Sequence, residues 1–184
     1  MQPVIQHEKL MLLFRQPDTD ADGFIDRRDV SALAQRILSG VGEGGHSPTG
    51  RELLSALDQV WEELACDADT DRDGRVSQEE FTQGMRAGQL TSQDAYDRYF
   101  RPGVAAAYRV IDRDGDGVVS RAEFGTLQQA FGTPADQADQ IFEQFDADGN
   151  GLLDAAELTR HARDFRLSTD RSAAGNGLFG PLPA

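Results

Sequence analysis

Asp112-Arg113-Asp114-Gly115-Asp116-Gly117-Val118-Val119-Ser120-Arg121-Ala122-Glu123 is the stretch on which the reading of this chain turns. Acids at loop positions 1, 3 and 5 (Asp112, Asp114, Asp116) point oxygens toward a common centre. Gly117 at position 6 allows a sharp turn that a side chain would resist. Val118 at position 7 offers its backbone carbonyl, and Ser120 at position 9 can act directly or through water. Glu123 at position 12 is long enough to bring both carboxylate oxygens to one ion. Val119 at position 8 faces away from that centre and suits a short strand. An all-oxygen donor set of this kind fits a hard divalent cation, Ca²⁺ above all.

The pattern recurs in register. Asp69, Asp71, Asp73, Gly74 and Glu80 form a second loop, with Arg75 at position 7 and Val76 at the apolar position. Asp146, Asp148, Asn150, Gly151 and Glu157 form a third match, with Leu152 and Leu153 in those places. Asp18, Asp20, Asp22 and Gly23 open another, with Phe24 and Ile25 following and Asp29 closing it. A solvated acidic turn explains any one cluster but not the shared register of glycine and apolar residue.

Composition narrows the function classes. A net charge of −14 over 184 residues argues against a general nucleic-acid binder, because the chain would repel phosphates. The acidity has a local cause in the loops, and four bound Ca²⁺ ions would reduce the charge to about −6. Cys66 is the only cysteine, so no intramolecular disulfide is available; its place in the apolar-rich helix before loop 69–80 suggests inert packing. The N-terminus carries no basic segment followed by an unbroken apolar run, and no stretch approaches a membrane span. These features lead us to expect a cytoplasmic monomer with no membrane or nucleic-acid partner, and they name no protein partner.

Helical spacing flanks every loop. Val4, Ile5, Leu10, Met11, Leu13 and Phe14 lead into the first, and Pro17 should stop that helix near Gln16. Val30, Leu33, Ala34, Ile37 and Leu38 leave it. A glycine-rich segment, residues 40–50, reads as a linker containing a surface His46, with Thr49 and Glu52 as a capping box. Leu53, Leu57, Val60, Trp61 and Leu64 share a helix face, which places Trp61 in the core. Residues 91–111 read as a helix pair or bent helix around Tyr96, Tyr99 and Phe100, broken at Arg101-Pro102-Gly103. Phe124, Leu127 and Phe131 follow loop 112–123, Gly132 ends their helix, and Thr133 caps the next. Leu158, Ala162 and Phe165 leave loop 146–157 beside His161, read as a satisfied histidine because Ca²⁺ prefers oxygen. Residues 167–184 are polar apart from Leu178-Phe179, which is either a plug for an apolar groove or a loose terminus.

The four-loop pattern resembles the EF-hand superfamily over nearly the whole chain. Asp29 closing the first loop, the long gap between the first two loops, and Gly175-Asn176-Gly177-Leu178-Phe179-Gly180 are similar to the sarcoplasmic calcium-binding protein and bacterial calerythrin group. That resemblance implies a compact two-lobed calcium buffer. Relatives commonly lose ligands in one hand, whereas all four loops here look competent.

The expected architecture is all-α: four hands paired into two lobes, joined by short two-stranded β links at position 8. Ile25 should lie beside Val76 and Val119 beside Leu153, with lobes near 1–90 and 91–184. Asp29 is one methylene shorter than glutamate, so loop 18–29 should be weakest for Ca²⁺ or take Mg²⁺ as well. Only Met1, Met11 and Met85 are present, few for the flexible groove of a sensor. A buffer is therefore favoured over a sensor that exposes an apolar surface to a partner. Catalysis is not expected: His7, His46 and His161 are scattered, and every carboxylate cluster is better used by a metal.

Overall fold

The structure of the chain, a computed structural model, describes residues 4–86, 97, 101–180 and 182. Helix α1, Val4–Arg15, stops ahead of Pro17 as the proline requires. After the first loop come β1 (Phe24–Ile25), α2 (Arg27–Gly40) and α3 (Pro48–Ala68), then β2 (Val76–Ser77) and α4 (Gln78–Arg86). The second half follows with α5 (Arg101–Ile111), β3 (Val119–Ser120), α6 (Arg121–Ala130), α7 (Ala135–Phe145), β4 (Leu152–Leu153) and α8 (Ala155–Leu167). A 3-10 turn at Ala174–Gly177 closes the order.

The fold is thus helical with two small sheets, and it pairs four hands. Strand β1 runs antiparallel to β2 with Ile25 opposite Val76, and β3 runs antiparallel to β4 with Val119 opposite Leu153. All four position-8 side chains are buried. A lone two-residue strand has no stability of its own; pairing satisfies its backbone while the apolar side chain enters the core.

The chain forms two compact units, one from Phe14 to Val110 and one from Ile111 onward joined by the first helix up to Leu13. These limits differ from the stretches 1–90 and 91–184. The physical reason lies in α1: Lys9 is buried, and its ammonium donates to the carbonyls of Phe165 and Ser168, 2.7 Å each, at the C-terminal end of α8. Unsatisfied carbonyls and the negative end of a helix dipole make that a favourable seat for a cation.

In the unit from Phe14 to Val110, Phe14 packs edge-on against Phe81 at 5.5 Å, and Leu53, Trp61, Ile37 and Leu38 are buried around α2 and α3. The cap of α3 is Ser47, whose hydroxyl accepts the Gly50 amide, with Pro48 in the first turn; Thr49 does not cap it. Cys66 is exposed rather than packed, because it lies off the helix face that buries Trp61 and Leu64. Arg101-Pro102-Gly103 forms the first turn of α5, where a proline's missing N–H costs nothing; the residues before it on which the expected break depends lie outside the described ones. Tyr96, Tyr99 and Phe100 lie outside the described residues.

In the other unit, Phe124 packs against Phe142 (5.8 Å) and Phe145 (5.5 Å), and the buried His161 ring stacks on Phe145 at 3.9 Å. Thr133 does not cap α7; its hydroxyl donates to the buried Gln128 carbonyl, 2.8 Å. Gln128 in turn donates to the carbonyl of Gly177, 3.1 Å. The C-terminal segment is therefore seated. Leu178 is buried, and the Phe179 ring meets those of Phe131 and Phe165 at 5.9 and 5.1 Å. Gly177 fits because any Cβ there would stand 2.8 Å from Ile141.

Candidate metal centre

Each loop is held by its own acids before any ion is considered. The first-position aspartates Asp69, Asp112 and Asp146 accept the amides of the position-6 glycines Gly74, Gly117 and Gly151 at 3.0, 3.1 and 2.9 Å. Those glycines, with Gly23, have φ between 82 and 87, a region that L side chains rarely adopt. Position 3 accepts the amide of position 5: Asp20 from Asp22, Asp71 from Asp73, Asp114 from Asp116, Asp148 from Asn150. Position 5 accepts the amide of position 7: Asp22 from Phe24, Asp73 from Arg75, Asp116 from Val118, and Asn150 from Leu152. These short-range bonds wind the backbone so that the acidic side chains converge.

The acid at position 12 spans its loop in all four cases. One oxygen accepts the amide of position 2 and the other that of position 9: Asp29 from Thr19 and Asp26, Glu80 from Thr70 and Ser77. Likewise Glu123 accepts from Arg113 and Ser120, and Glu157 from Ala147 and Asp154. The same acid is the third residue of the exiting helix, where in α2, α6 and α8 it completes a capping box. A change at this carboxylate is thereby passed directly to a helix end.

Convergence differs between loops. Ligand oxygens within 4.8 Å of one another come from Asp18, Asp20 and Asp22 in the first loop, and from Asp69, Asp71 and Asp73 in the second. They come from Asp112, Asp114 and Glu123 in the third, and from Asp146, Asp148 and Glu157 in the fourth. The closing acid thus joins the group in loops 112–123 and 146–157, while Asp29 and Glu80 do not join theirs. Asp116 lies outside the third group.

The electrostatics suit a positive charge held among these oxygens. Burial pushes the Asp18 carboxyl above its ordinary value, with the charges of Asp29 and Asp22 adding to the push and the amides of Gly23 and Asp22 opposing it. Its Oδ1 is buried with no hydrogen-bond partner, an orphaned anionic oxygen that a cation would satisfy. Glu80 goes the other way, down to about 2, because the Ser77 amide leads a set of donors that includes the Ser77 and Thr70 hydroxyls. Oxygen-only donors gathered around each loop are the chemistry of Ca²⁺.

Several contributors are not evident from the loop pattern. The hydroxyls of Thr19 and Thr70 donate to Asp29 and Glu80 at 3.1 and 2.8 Å. Ser120, expected near the ion, donates its hydroxyl to Glu123 at 2.7 Å. Arg75 stacks its guanidinium over Phe24, 4.1 Å from the ring centroid, and pairs with Asp73 at 3.2 Å. Threonine at position 2 of only the first two loops was the one available signal. The histidines bring nothing to the loops: His46 is exposed, and His161 Nε2 bonds the Phe145 carbonyl at 3.1 Å.

A family model for an EF-hand domain pair matches residues 7–86, and one for the EF hand matches residues 109–128 and 138–160. Calerythrin of Saccharopolyspora erythraea is 28% identical over 170 residues, covering 91% of this chain and 95% of its own. A Streptomyces coelicolor calcium-binding protein, solved as a structural basis for prokaryotic calcium-mediated regulation, is 34% identical with a TM-score of 0.75, covering 88% of this chain and 98% of that one. The sarcoplasmic calcium-binding protein from amphioxus shares the fold at 22% identity, with a TM-score of 0.75 and 98% of both chains covered.

Proposed function

Since this chain belongs to the EF-hand family of calcium-binding proteins, we propose that it is a calcium buffer that takes up as many as four Ca²⁺ ions. In this reading the ligands are Asp18, Asp20, Asp22, Asp29 and the Phe24 carbonyl in loop 18–29, and Asp69, Asp71, Asp73, Glu80 and the Arg75 carbonyl in loop 69–80. Asp112, Asp114, Asp116, Glu123 and the Val118 carbonyl serve loop 112–123; Asp146, Asp148, Asn150, Glu157 and the Leu152 carbonyl serve loop 146–157. The bound ion supplies positive charge to oxygens that repel one another without it. The chain's own residues fix which oxygens face inward and tie the closing acid to the exiting helix. Loop 18–29, closed by the shorter Asp29, accepts Mg²⁺ as well.

The observation that carries the buffer reading is the seated C-terminal segment. A sensor must present an apolar surface to its target. Here Leu178 and Phe179 already lie on α6 and α8, with Gln128 holding the Gly177 carbonyl. A sensor is the second reading, favoured by the regulatory setting of the Streptomyces coelicolor relative. The exposed thiol of Cys66 suits the reducing cytoplasm, and a net charge of −14 favours a monomer by self-repulsion. Calorimetric Ca²⁺ titration with and without Mg²⁺, alongside a dye that reports apolar surface, tests the proposal. A buffer binds Ca²⁺ at up to four sites while the dye signal stays low or falls; a rise in dye signal on loading replaces the buffer by the sensor.

A further inference from the structure

The four loops share one arrangement of amides around the closing acid, and two of them add a hydroxyl from position 2 to it. A carboxylate oxygen has two lone pairs, so four acceptor directions serve the whole group. In every loop the position-2 amide takes one lone pair of the first oxygen. In loops 112–123 and 146–157 position 2 is Arg113 or Ala147, and the second lone pair of that oxygen has no protein donor among the hydrogen bonds described. In loops 18–29 and 69–80 position 2 is threonine, and its hydroxyl donates into the same oxygen. The distribution of converging oxygens follows the same division: Glu123 and Glu157 stand in the oxygen groups, and Asp29 and Glu80 do not.

We propose that Thr19 and Thr70 are positioning residues that hold the closing carboxylates of the first two loops away from the ion, and so set the order in which the loops load. This rests on the reading of the loops as calcium sites. To bind through both oxygens, Asp29 or Glu80 must first give up a hydroxyl bond, a charge-assisted interaction. Glu157 gives up nothing: its oxygens carry one amide each. Glu123 gives up the Ser120 hydroxyl, which sits on the oxygen away from position 2 and has its counterpart in the Ser77 hydroxyl on Glu80. With Glu123 and Glu157 already among the converging oxygens, loops 112–123 and 146–157 fill at lower free Ca²⁺ than loops 18–29 and 69–80. Loop 69–80 is the most held back, since among the hydrogen bonds described Glu80 is the closing acid that accepts both a position-2 and a position-9 hydroxyl.

The full-length protein tests this, with calcium as the only probe. The amide resonances of Gly23, Gly74, Gly117 and Gly151 report each loop separately during titration. Both threonines and Ala147 are exposed, so their substitution leaves the core untouched. Thr70→Val should lower the Ca²⁺ midpoint of loop 69–80 by about threefold to tenfold, with loops 112–123 and 146–157 unmoved. Thr70→Ser, which keeps the hydroxyl, should behave as wild type. Thr19→Val should act in the same direction on loop 18–29, and Ala147→Thr should raise the midpoint of loop 146–157. The melting temperature of the ion-free protein separates the alternatives: a merely structural threonine would lower melting and affinity together, whereas a restraining one raises affinity while melting does not rise. A Thr70→Val protein whose midpoint is unchanged or higher, beside a wild type that loads normally, overturns the inference alone. A wild type that takes up no calcium overturns the calcium reading and this inference with it.

Discussion

Position 4 of the loops separates the first pair from the second. Loops 112–123 and 146–157 place glycine there, Gly115 and Gly149, with φ of 73 and 72. Loops 18–29 and 69–80 impose the same left-handed backbone on Ala21 and Arg72, with φ of 58 and 60. A side chain in that region costs about 1–2 kcal/mol relative to the right-handed form. The first pair is therefore bent against its own preference, and the bonds that bend it are local: the amides drawn to Asp20 and Asp22, and to Asp69, Asp71 and Asp73. The lesson is that the loop's shape comes from its ring of acceptors, with glycine easing it where present. The same pair has the closing acids restrained by threonine, so both features set it apart as the harder pair to load.

The contrast can be broken or sharpened by experiment. Removing calcium has the largest expected effect. Chelation should lower unfolding stability by about 2.7 kcal/mol for each loop whose free-ion level had stood at one hundred times its Kd. Calorimetric melting should show the loss first in the unit containing loops 18–29 and 69–80 as free calcium is reduced; loss beginning in the other unit would break the comparison. Next, Phe142→Ala opens a cavity beneath Phe124 and should cost about 3–5 kcal/mol by denaturant unfolding, with the affinity of loop 69–80 spared. A matching loss at loop 69–80 would show that the pairs are not separable.

Glycine exchanges address the contrast itself. Gly115→Ala and Gly149→Ala should each destabilise the calcium-loaded protein by about 1 kcal/mol, while Ala21→Gly and Arg72→Gly should stabilise it by about 0.5 kcal/mol. Equal and same-signed changes in both pairs would refute a strain difference. The smallest effect expected is a pH slope from His161. Burial holds its imidazole below the ordinary histidine value, against the pull of the Phe145 carbonyl, Asp164 and Glu157 and with a small push from Arg160. The neutral form is thus favoured on folding. Its stabilising contribution is present above the unfolded value of about 6.5 and is lost as pH falls below that toward the folded value. His161→Phe, which keeps the stack on Phe145, should flatten the stability profile of the calcium-saturated protein between about pH 7 and 5.5; an unchanged slope would assign it elsewhere.

Much of this molecule was legible in its residues, and the reasons are specific. The pairing of Ile25 with Val76 and Val119 with Leu153 followed from an apolar residue at a fixed loop position. The end of α1 followed from Pro17, and the buried Trp61 from helical spacing. Capping was read less well: Thr49 and Thr133 looked like caps, but Ser47 and Pro134 occupy those places, because competing neighbours only declare themselves once the turns are built. Cys66 is exposed for a similar reason: an apolar-rich stretch does not say which side of its helix is covered.

What the sequence determined by itself is the set of oxygen-bearing loops, because the bonds that turn each one lie within its own short segment, and their strand register, because an apolar residue stands at the same position of every loop. The tertiary structure alone decided that Lys9 joins the first helix to the end of α8, that Leu178 and Phe179 are seated, and that two threonine hydroxyls meet the closing acids. Those contacts depend on where helices and loop ends come together in space: Lys9 and Phe165 are far apart along the chain, and a hydroxyl's choice of acceptor is fixed only when the loop has closed around it.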